Sequence, residues 1–306
     1  GVGTGSGNGV GTGSGNGVEI HPGQLTVGGI KLILDNYGAV KLEEVTGVEL
    51  TDYEQDDLPD TLNVSDPPII TNIYSTVRAF AALDETGKVH VWGSGDYGGS
   101  LPATLNVTNP PKITNIYSTN GAFAALDVNR KVHVWGVTNW GGLLPVNHTL
   151  NVTNPPKITN IYSTQNAFAA LDVNRKLHVW GYSTHGGSLP DTLTNSTITK
   201  MFSARYTFTA LTSDGMVVKW GHSDYDKIGE NSSGEKVDVI YNVRTMSING
   251  NTVTATHIVD GTTIEWSNDS NSNNNNEIDN KYLISALTVG TGSGNGVGTG
   301  SGNGVG

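Results

Sequence analysis

The sequence predicts an all-β protein built from repeated units. Three stretches share NIYST, two variable residues and then AFAALD, and a weaker fourth copy follows them. The lead aromatic residues of the four copies are 43, 45 and 40 positions apart, at Tyr74, Tyr117, Tyr162 and Phe202. Self-similarity at a period of this size indicates a repeat architecture. No segment of the unit has helical periodicity, so strands must form the repeated element.

Each unit contains two strand patterns joined by a tight turn. Ala122–Leu126 and Lys131–Trp135 have strand length, and the second alternates as a half-buried strand does. The turn Asp127–Arg130 becomes Asp84–Gly87 in another copy. The exchange of Asn for Gly suits tight turns, because both residues tolerate positive φ. One unit cannot bury its own face, so the copies must pack against each other.

The full pattern resembles a known repeat family. It reads aromatic-Ser…Ala-Phe-Ala-Ala-Leu…Asp-Gly…Val-x-x-Trp-Gly…Tyr-Gly-Gly, and it is similar to the RCC1-like repeat in its bacterial secreted form. The resemblance covers about Ile30 to Leu287 and implies a β-propeller. The nucleotide-exchange and chromatin roles of the family's founder imply a basic binding face, whereas this chain has a formal charge of −11. The resemblance therefore implies the fold and leaves the function open.

Counting the repeats predicts about six blades. Three strong units end at Trp92, Trp135 and Trp180, a fourth runs from Phe202 to Trp220, and a fifth, degenerate unit runs from Met246 to Trp266. Ile30–Leu42 is a partial unit, and Lys281–Ala286 resembles the opening strand of another. We expect this C-terminal strand to pair with the N-terminal hairpin around Asp35–Gly38, which closes the ring without a bare sheet edge. The family commonly has seven blades, so a seventh could have degenerated within Val237–Thr245.

Glycine-rich tracts flank the predicted propeller. Residues 1–18 and 289–306 repeat the octapeptide GVGTGSGN, and residues 19–288 form the domain between them. Gly/Ser tracts usually behave as flexible linkers. Strict alternation of glycine instead resembles silk, since it places all glycines on one face of an extended strand. Both interpretations remain open at this point.

Composition limits the function classes. The absence of Cys excludes a disulfide framework and a Cys-based zinc site. The acidic balance argues against nucleic acid, because phosphate binding needs clustered Lys and Arg. No apolar run approaches the ~20 residues of a membrane span. A surface rich in Asn, Thr, Ser and Gly favours an extracellular or cell-surface location.

The best candidate binding residues lie five positions after four of the tryptophans. All four fall in glycine-rich loops that should share one propeller face: Tyr97, Trp140, His185 and Tyr225. They either fill gaps between blades or form an aromatic surface for a protein or glycan partner, since loops on rigid scaffolds carry function.

Other candidate residues have a structural interpretation that competes with a functional one. His90, His133 and His178 occupy one repeat position, either as metal ligands or, as we favour, as structural strand residues. Eight acidic residues between Glu43 and Asp60 form a solvated edge more readily than a calcium site. The Asn-x-Ser/Thr triplets arise from composition and repetition as readily as from glycosylation. We find no catalytic constellation and no cofactor fingerprint, and we expect no enzyme.

Two functional hypotheses follow. The first is a structural module of an extracellular filament or large repetitive surface protein, which self-associates head to tail through the glycine-rich tracts. The second is an adhesin-like or inhibitor-like recognition propeller with passive linkers. The same octapeptide at both ends favours the first, because a binder needs no matched ends whereas an element that repeats end to end does.

Overall fold

The computed structural model describes the backbone of 24–27, 30–34 and 40–44, and then residues 59, 61–62, 68–268 and 278–283. Within these residues, six antiparallel sheets of three or four strands follow each other along the chain. We number them blades 1 to 6 in chain order. The fold is an all-β propeller, and its blade count matches the six predicted from the repeats.

The strands of each blade are consecutive in the sequence. Blade 1 contains β1 Gln24–Val27, β2 Ile30–Leu34 and β3 Val40–Glu44; blade 2 contains β4 Ile70–Ser75, β5 Ala79–Asp84 and β6 Val89–Gly93; blade 3 contains β7 Ile113–Ser118, β8 Ala122–Asp127 and β9 Val132–Gly136. Blade 4 contains β10 Ile158–Ser163, β11 Ala167–Asp172 and β12 Leu177–Gly181; blade 5 contains β13 Ile198–Ser203, β14 Thr207–Thr212 and β15 Val217–Gly221. The remaining strands are β16 Gly229–Glu230, β17 Lys236–Val237, β18 Val239–Ile240 and, in blade 6, β19 Val243–Asn249, β20 Thr252–His257 and β21 Thr263–Ser267. Four short 3-10 helices connect these elements at Gly95–Tyr97 (η1), Thr138–Trp140 (η2), Ser183–His185 (η3) and Asp191–Leu193 (η4), and a fifth follows blade 6 at Asn280–Tyr282 (η5).

Blades 2 to 6 share the same register. The first and second strands pair as Tyr117 with Ala124 in blade 3, and as Tyr162 with Ala169 in blade 4. Each first strand also has a bulge after its first residue. A bulge adds local twist at a fixed point of each blade. The repeated sequence therefore produces a repeated backbone, so equivalent residues occupy equivalent places on the ring.

The hydrophobic core lies between blades. Ala79 and Ala81 of blade 2 pack in one buried cluster with Phe123 and Trp135 of blade 3. The next cluster joins blades 3 and 4 in the same way. Alanine on one side and large aromatic rings on the other let neighbouring sheets interdigitate at close range. Each blade is therefore stable only against its neighbours, as expected for a unit that cannot bury its own face.

The ends of the ring differ from the sequence-based expectation. The neighbours of β2 are β1 and β3, so both of its edges are occupied by N-terminal strands. The predicted strand at Lys281–Ala286 is a 3-10 turn where the structure describes it, because Asp279 accepts the Lys281 N–H and Tyr282 is buried against blade 6. The expected pairing of the C-terminal strand with the N-terminal hairpin involves residues 35–38 and 284–287, which lie outside the described residues.

Two details of the repeat count are also corrected. Val239–Ile240 adds a fourth strand to blade 5 beside β15, and β19 starts three residues later, so no seventh blade has degenerated there. Met246 pairs with Ala255 as Met201 pairs with Ala210, so it takes the buried position before the lead residue and Ser247 takes the lead position itself. In the described chain, no helix has the length and apolar character of a membrane-spanning segment.

Candidate functional site

The four predicted loop residues occupy equivalent places at one end of the strands. Tyr97, Trp140 and His185 each complete a 3-10 helix that follows the third strand of a blade. Tyr225 lies in a turn, and its own backbone N–H donates to the His222 carbonyl at 2.8 Å. All four side chains are half-buried. They are neither wholly exposed nor sealed inside the blade interfaces.

The backbone that carries these side chains is fixed from two sides. Within a blade, a threonine hydroxyl donates to the carbonyl of the loop residue, from Thr119 to Trp140 at 3.0 Å and from Thr164 to His185 at 2.8 Å. Across the blade interface, Trp135 Nε1 donates to the carbonyl of Gly98, the residue after Tyr97, at 2.9 Å. Trp180 and Trp220 repeat this bond in the next two interfaces.

Glycine at the position after the loop residue is required by geometry. Gly98 has φ of 104°, and a Cβ there would lie 2.6 Å from the ring of Phe123. Residues other than glycine rarely adopt this conformation, and the ring leaves no space for a side chain. The first glycine of the Gly-Gly pair therefore lets the loops of blades 2 to 4 dock onto the next blade, at Gly98, Gly141 and Gly186.

Each loop residue contacts a different partner from its own blade. The guanidinium of Arg78 lies 5.1 Å from the Tyr97 ring centre, and the Trp140 ring covers Gly121, where a Cβ would be 2.4 Å away. His185 Nδ1 and Asn166 Oδ1 are 2.8 Å apart, and Tyr206 stacks on Tyr225 at 5.3 Å. The partners share one repeat position: Arg78, Gly121, Asn166 and Tyr206. Equivalent loop positions thus present three different side-chain pairs and, in blade 3, a tryptophan ring that covers a glycine.

These partner residues were missed in the sequence analysis, although a signal was present. They stand within the two variable positions between NIYST and AFAALD, in repeats that are otherwise nearly identical. Variation confined to two adjacent positions of a repeat marks a surface that can change without disturbing the core. The pairing itself depends on the turn that folds the loop back over the strand, which no spacing rule predicts.

The rings form two groups across the blades. Tyr97 and Trp140 meet edge to face with centroids 6.1 Å apart. His185 lies 4.8 Å from Tyr206 and 5.8 Å from His222. Burial lowers the pKa of His185, and the nearby His222 lowers it further. The lowered pKa favours an uncharged His185 imidazole at neutral pH.

A chain of backbone hydrogen bonds joins the turns between the first and second strands of successive blades on this face. Val77 donates to Asn120 at 2.9 Å, Asn120 to Gln165 at 2.8 Å, and Gln165 to Arg205 at 2.7 Å. The guanidinium of Arg205 lies 5.0 Å from the Tyr206 ring centre. These bonds hold the turns of four blades against one another, so less conformational entropy is lost if this face binds a partner.

The repeated histidines belong to a structural device. His90, His133 and His178 each contact a buried aspartate through Nε2 at 2.9 to 3.1 Å and a threonine hydroxyl through Nδ1 at 2.7 to 3.2 Å. A carboxylate only accepts, so Nε2 carries a proton and donates it to the aspartate. Both ring nitrogens are therefore occupied within the protein. Among the described residues, no three His, Asp or Glu side chains converge on a common metal position.

The structure excludes one of the glycosylation triplets and leaves the calcium interpretation of the acidic stretch untested. Asn268 is buried and its Nδ2 donates to the Ser203 carbonyl at 2.9 Å, so this triplet cannot accept a glycan. Asn106, Asn147, Asn151 and Asn195 stand outside the core in loops. Most of the acidic stretch from Glu43 to Asp60 lies outside the described residues, so the structure does not bear on its calcium interpretation.

The class of protein that the sheets and their shared register define is a β-propeller. No known family model matches the chain, and no curated protein does. Solved structures do match it. The Prp20p protein of Saccharomyces cerevisiae, the yeast RCC1, is 16% identical over 80% of this chain and 72% of that protein, with a TM-score of 0.40. The ectodomain of the receptor kinase CR4 from Physcomitrella patens is 12% identical over 82% and 62%, with a TM-score of 0.42.

A third match is the computationally designed Ika8 protein, 17% identical over 80% of this chain and 70% of that protein, with a TM-score of 0.37. Scores of this size do not carry an argument about function. The yeast protein was studied for its binding to Gsp1p and histones. The fold assignment rests on the six sheets and their shared register.

Proposed function

We propose that this chain is a non-enzymatic structural module of an extracellular filament or large repetitive surface protein. In this proposal the propeller is a rigid bead and the glycine-rich tracts connect one bead to the next. The observation that carries it is the identical octapeptide repeat at both ends of the chain. The tracts lie outside the described residues, so the support comes from their sequence.

Alternating glycine gives a physical route to assembly. An extended tract has unpaired N–H and C=O groups on both edges, and small side chains between glycines allow close stacking of sheets. An N-terminal tract lying against a C-terminal tract of the next chain is a heterologous contact, which extends indefinitely unless it closes. Glycine loses much entropy on ordering, so several strands must bundle before such contacts hold.

The test replaces both tracts with scrambled versions of identical composition in which glycine no longer alternates. The native chain should form fibres with β-type diffraction, and the scrambled chain should form none. Composition, length and charge are the same in both, so only the alternation is tested. Sharp, mobile glycine resonances in the native chain at high concentration would show that the tracts are linkers.

A second function is favoured by the loop face. We propose it as the alternative, in which the propeller recognises a protein or glycan through Tyr97, Trp140, His185 and Tyr225. Its support is that equivalent, firmly held backbone positions carry different ring partners. Rigid aromatic residues contribute most of the affinity at many interfaces, and neutral aromatic faces suit the C–H surfaces of sugar rings.

The alternative is tested with a panel of neutral oligosaccharides, using intrinsic tryptophan fluorescence. A ligand of this face should change the emission of Trp140, and Trp140→Ala should abolish both the change and the binding. Trp140→Phe keeps an aromatic ring and should retain binding without the emission change. Equal binding by all three proteins would exclude this face as the site.

A further inference from the structure

The end of the strands opposite the loop face carries a row of positive charge. The turns that join the second and third strands of blades 2 to 4 lie there, next to the residues that precede the following blade. Six exposed cations belong to this row, which we call the basic belt: Lys88, Lys112, Arg130, Lys131, Lys157 and Arg175. The belt holds six of the 17 Lys and Arg residues of a chain whose formal charge is −11.

Backbone hydrogen bonds make the belt continuous from blade to blade. Ile113 donates to the Gly87 carbonyl at 2.7 Å, which brings Lys112 beside the turn that carries Lys88. Val128 donates to Lys112 at 2.9 Å, and Ile158 donates to Arg130 at 2.9 Å. Val173 donates to Lys157 at 2.9 Å and extends the row into blade 4. The six cations therefore form one row along hydrogen-bonded segments of blades 2 to 4.

The belt is not neutralised by the described residues of the chain. Ion pairs there involve other residues, such as Lys227, Lys236 and Lys281, and none includes a belt cation. The exposed carboxylates of the corresponding turns stand at the two ends of the row, at Glu85 and Asp214. A row of like charges on a rigid surface creates a local field of opposite sign to the net charge of the molecule.

Two of the belt residues occupy a backbone position that suits glycine better. The φ angles are 64° at Arg130 and 62° at Arg175, while the equivalent positions in blades 2 and 5 are Gly87 and Gly215 with φ of 86°. A long side chain in the left-handed region is strained. The turn thus accepts arginine in blades 3 and 4 against its conformational preference, which indicates a role for these side chains beyond stability.

We propose that the basic belt binds the acidic segment 43–60 of a second copy of this chain. This segment has eight Asp and Glu residues and no Lys or Arg, so its charge is complementary to the belt. Exposed Val128 and Val173 lie between the cations and add apolar contacts. The contact is heterologous, because a belt meets an acidic segment rather than another belt. It goes beyond the proposed function, since it uses neither of the glycine-rich tracts.

The experiment uses the full chain and a fluorescent synthetic peptide of residues 43–60, with binding followed by fluorescence anisotropy. The informative variant is Arg130→Gly with Arg175→Gly. Glycine relieves the positive-φ strain, so folding should persist with an undiminished melting temperature, while peptide affinity should fall about tenfold or more. A peptide with every Asp and Glu changed to Asn and Gln should not bind. Affinity should also weaken as salt screens the charges.

The matched control is Arg78→Gly with Arg205→Gly, which removes the same charge from the opposite face and should leave peptide binding unchanged. If both double variants lost peptide affinity equally, the loss would come from the change in net charge rather than from the belt, and the proposal would be overturned. Failure of the native chain to bind the peptide would overturn it too, including the case in which the chain's own segment occupies the belt. Fibre formation by the scrambled-tract chain is measured separately, so failure of the filament proposal is distinguishable.

Discussion

At the scale of single residues, the buried Asp–His pairs explain why the turns are so uniform. Asp127 Oδ1 accepts the N–H groups of Asn129 and Lys131 at 2.8 and 2.9 Å, and Oδ2 contacts His133. Burial opposes ionisation of the equivalent Asp84, but hydrogen bonds from Thr86, His90 and the backbone outweigh it and hold the pKa of that carboxyl below its usual range. One carboxylate therefore folds the turn and orients the strand beside it.

Blade 5 supplies a natural replacement for this pair. Thr212 and Val218 stand where blade 3 has Asp127 and His133, and the Thr212 hydroxyl accepts the Met216 N–H at 2.9 Å. Asp127→Thr alone should destabilise the protein by about 1–3 kcal/mol, because it leaves His133 Nε2 buried without an acceptor. Adding His133→Val should recover much of the loss in urea unfolding. A double variant no more stable than the single one would refute this account of the pair.

His148 should make stability depend on pH. Its Nε2 donates to the Val179 carbonyl at 2.9 Å and its Nδ1 accepts the Leu150 N–H at 3.2 Å. Burial lowers the pKa of His148, with opposition from the Val179 bond and a further lowering by His178. The unfolded chain takes up this proton near pH 6.5 and the folded chain only at lower pH. Stability should therefore fall as pH drops below about 6.5 and level off below the folded pKa.

The measurement is the urea midpoint between about pH 7.5 and 5, compared with that of His148→Asn. Asparagine can still accept from Leu150 but does not titrate in this range. The variant should therefore show a flatter pH dependence than the native chain. Identical slopes in the two proteins would assign the acid sensitivity to other groups.

At the scale of the element, the two tryptophans of blade 3 have separate tasks although they stand five residues apart. Trp135 is 3% exposed, packs on Phe123 at 5.1 Å and bonds the loop of blade 2. Trp140 is half-buried and touches Tyr97 edge to face. Trp135 therefore joins blades 2 and 3, whereas Trp140 forms part of the loop face.

Trp135→Ala should cost roughly 3–5 kcal/mol, through the lost packing and the cavity left between blades. Trp140→Ala should cost no more than about 1.5 kcal/mol, the scale of an aromatic pair contact. Chemical denaturation of the two variants compares them directly. Similar losses would mean that the loop residue belongs to the core.

At the scale of the whole molecule, the repeat made most of the fold predictable. The periodicity predicts the strand positions, the turns, the blade count and the inter-blade role of Trp135. Units of nearly identical sequence adopt the same backbone and pack against their neighbours in the same way. The ends of the ring break that symmetry, so Lys281–Leu283 and β1 could not be inferred from the other copies. The candidate face was predictable in its loop residues and not in partners such as Asn166, since those contacts depend on how the loop folds back.

The backbone bonds on both faces have a consequence for hydrogen exchange. The amides of Val77, Asn120 and Gln165 lie in loops, yet each donates to the next blade at 2.9 Å or less. Opening any of these bonds requires two blades to separate, so exchange should proceed through larger fluctuations rather than local fraying. Mass spectrometry should find these loop amides protected about as well as the central strands. If these loop amides exchanged rapidly while amides inside each blade exchanged slowly, neighbouring blades would instead separate from one another individually.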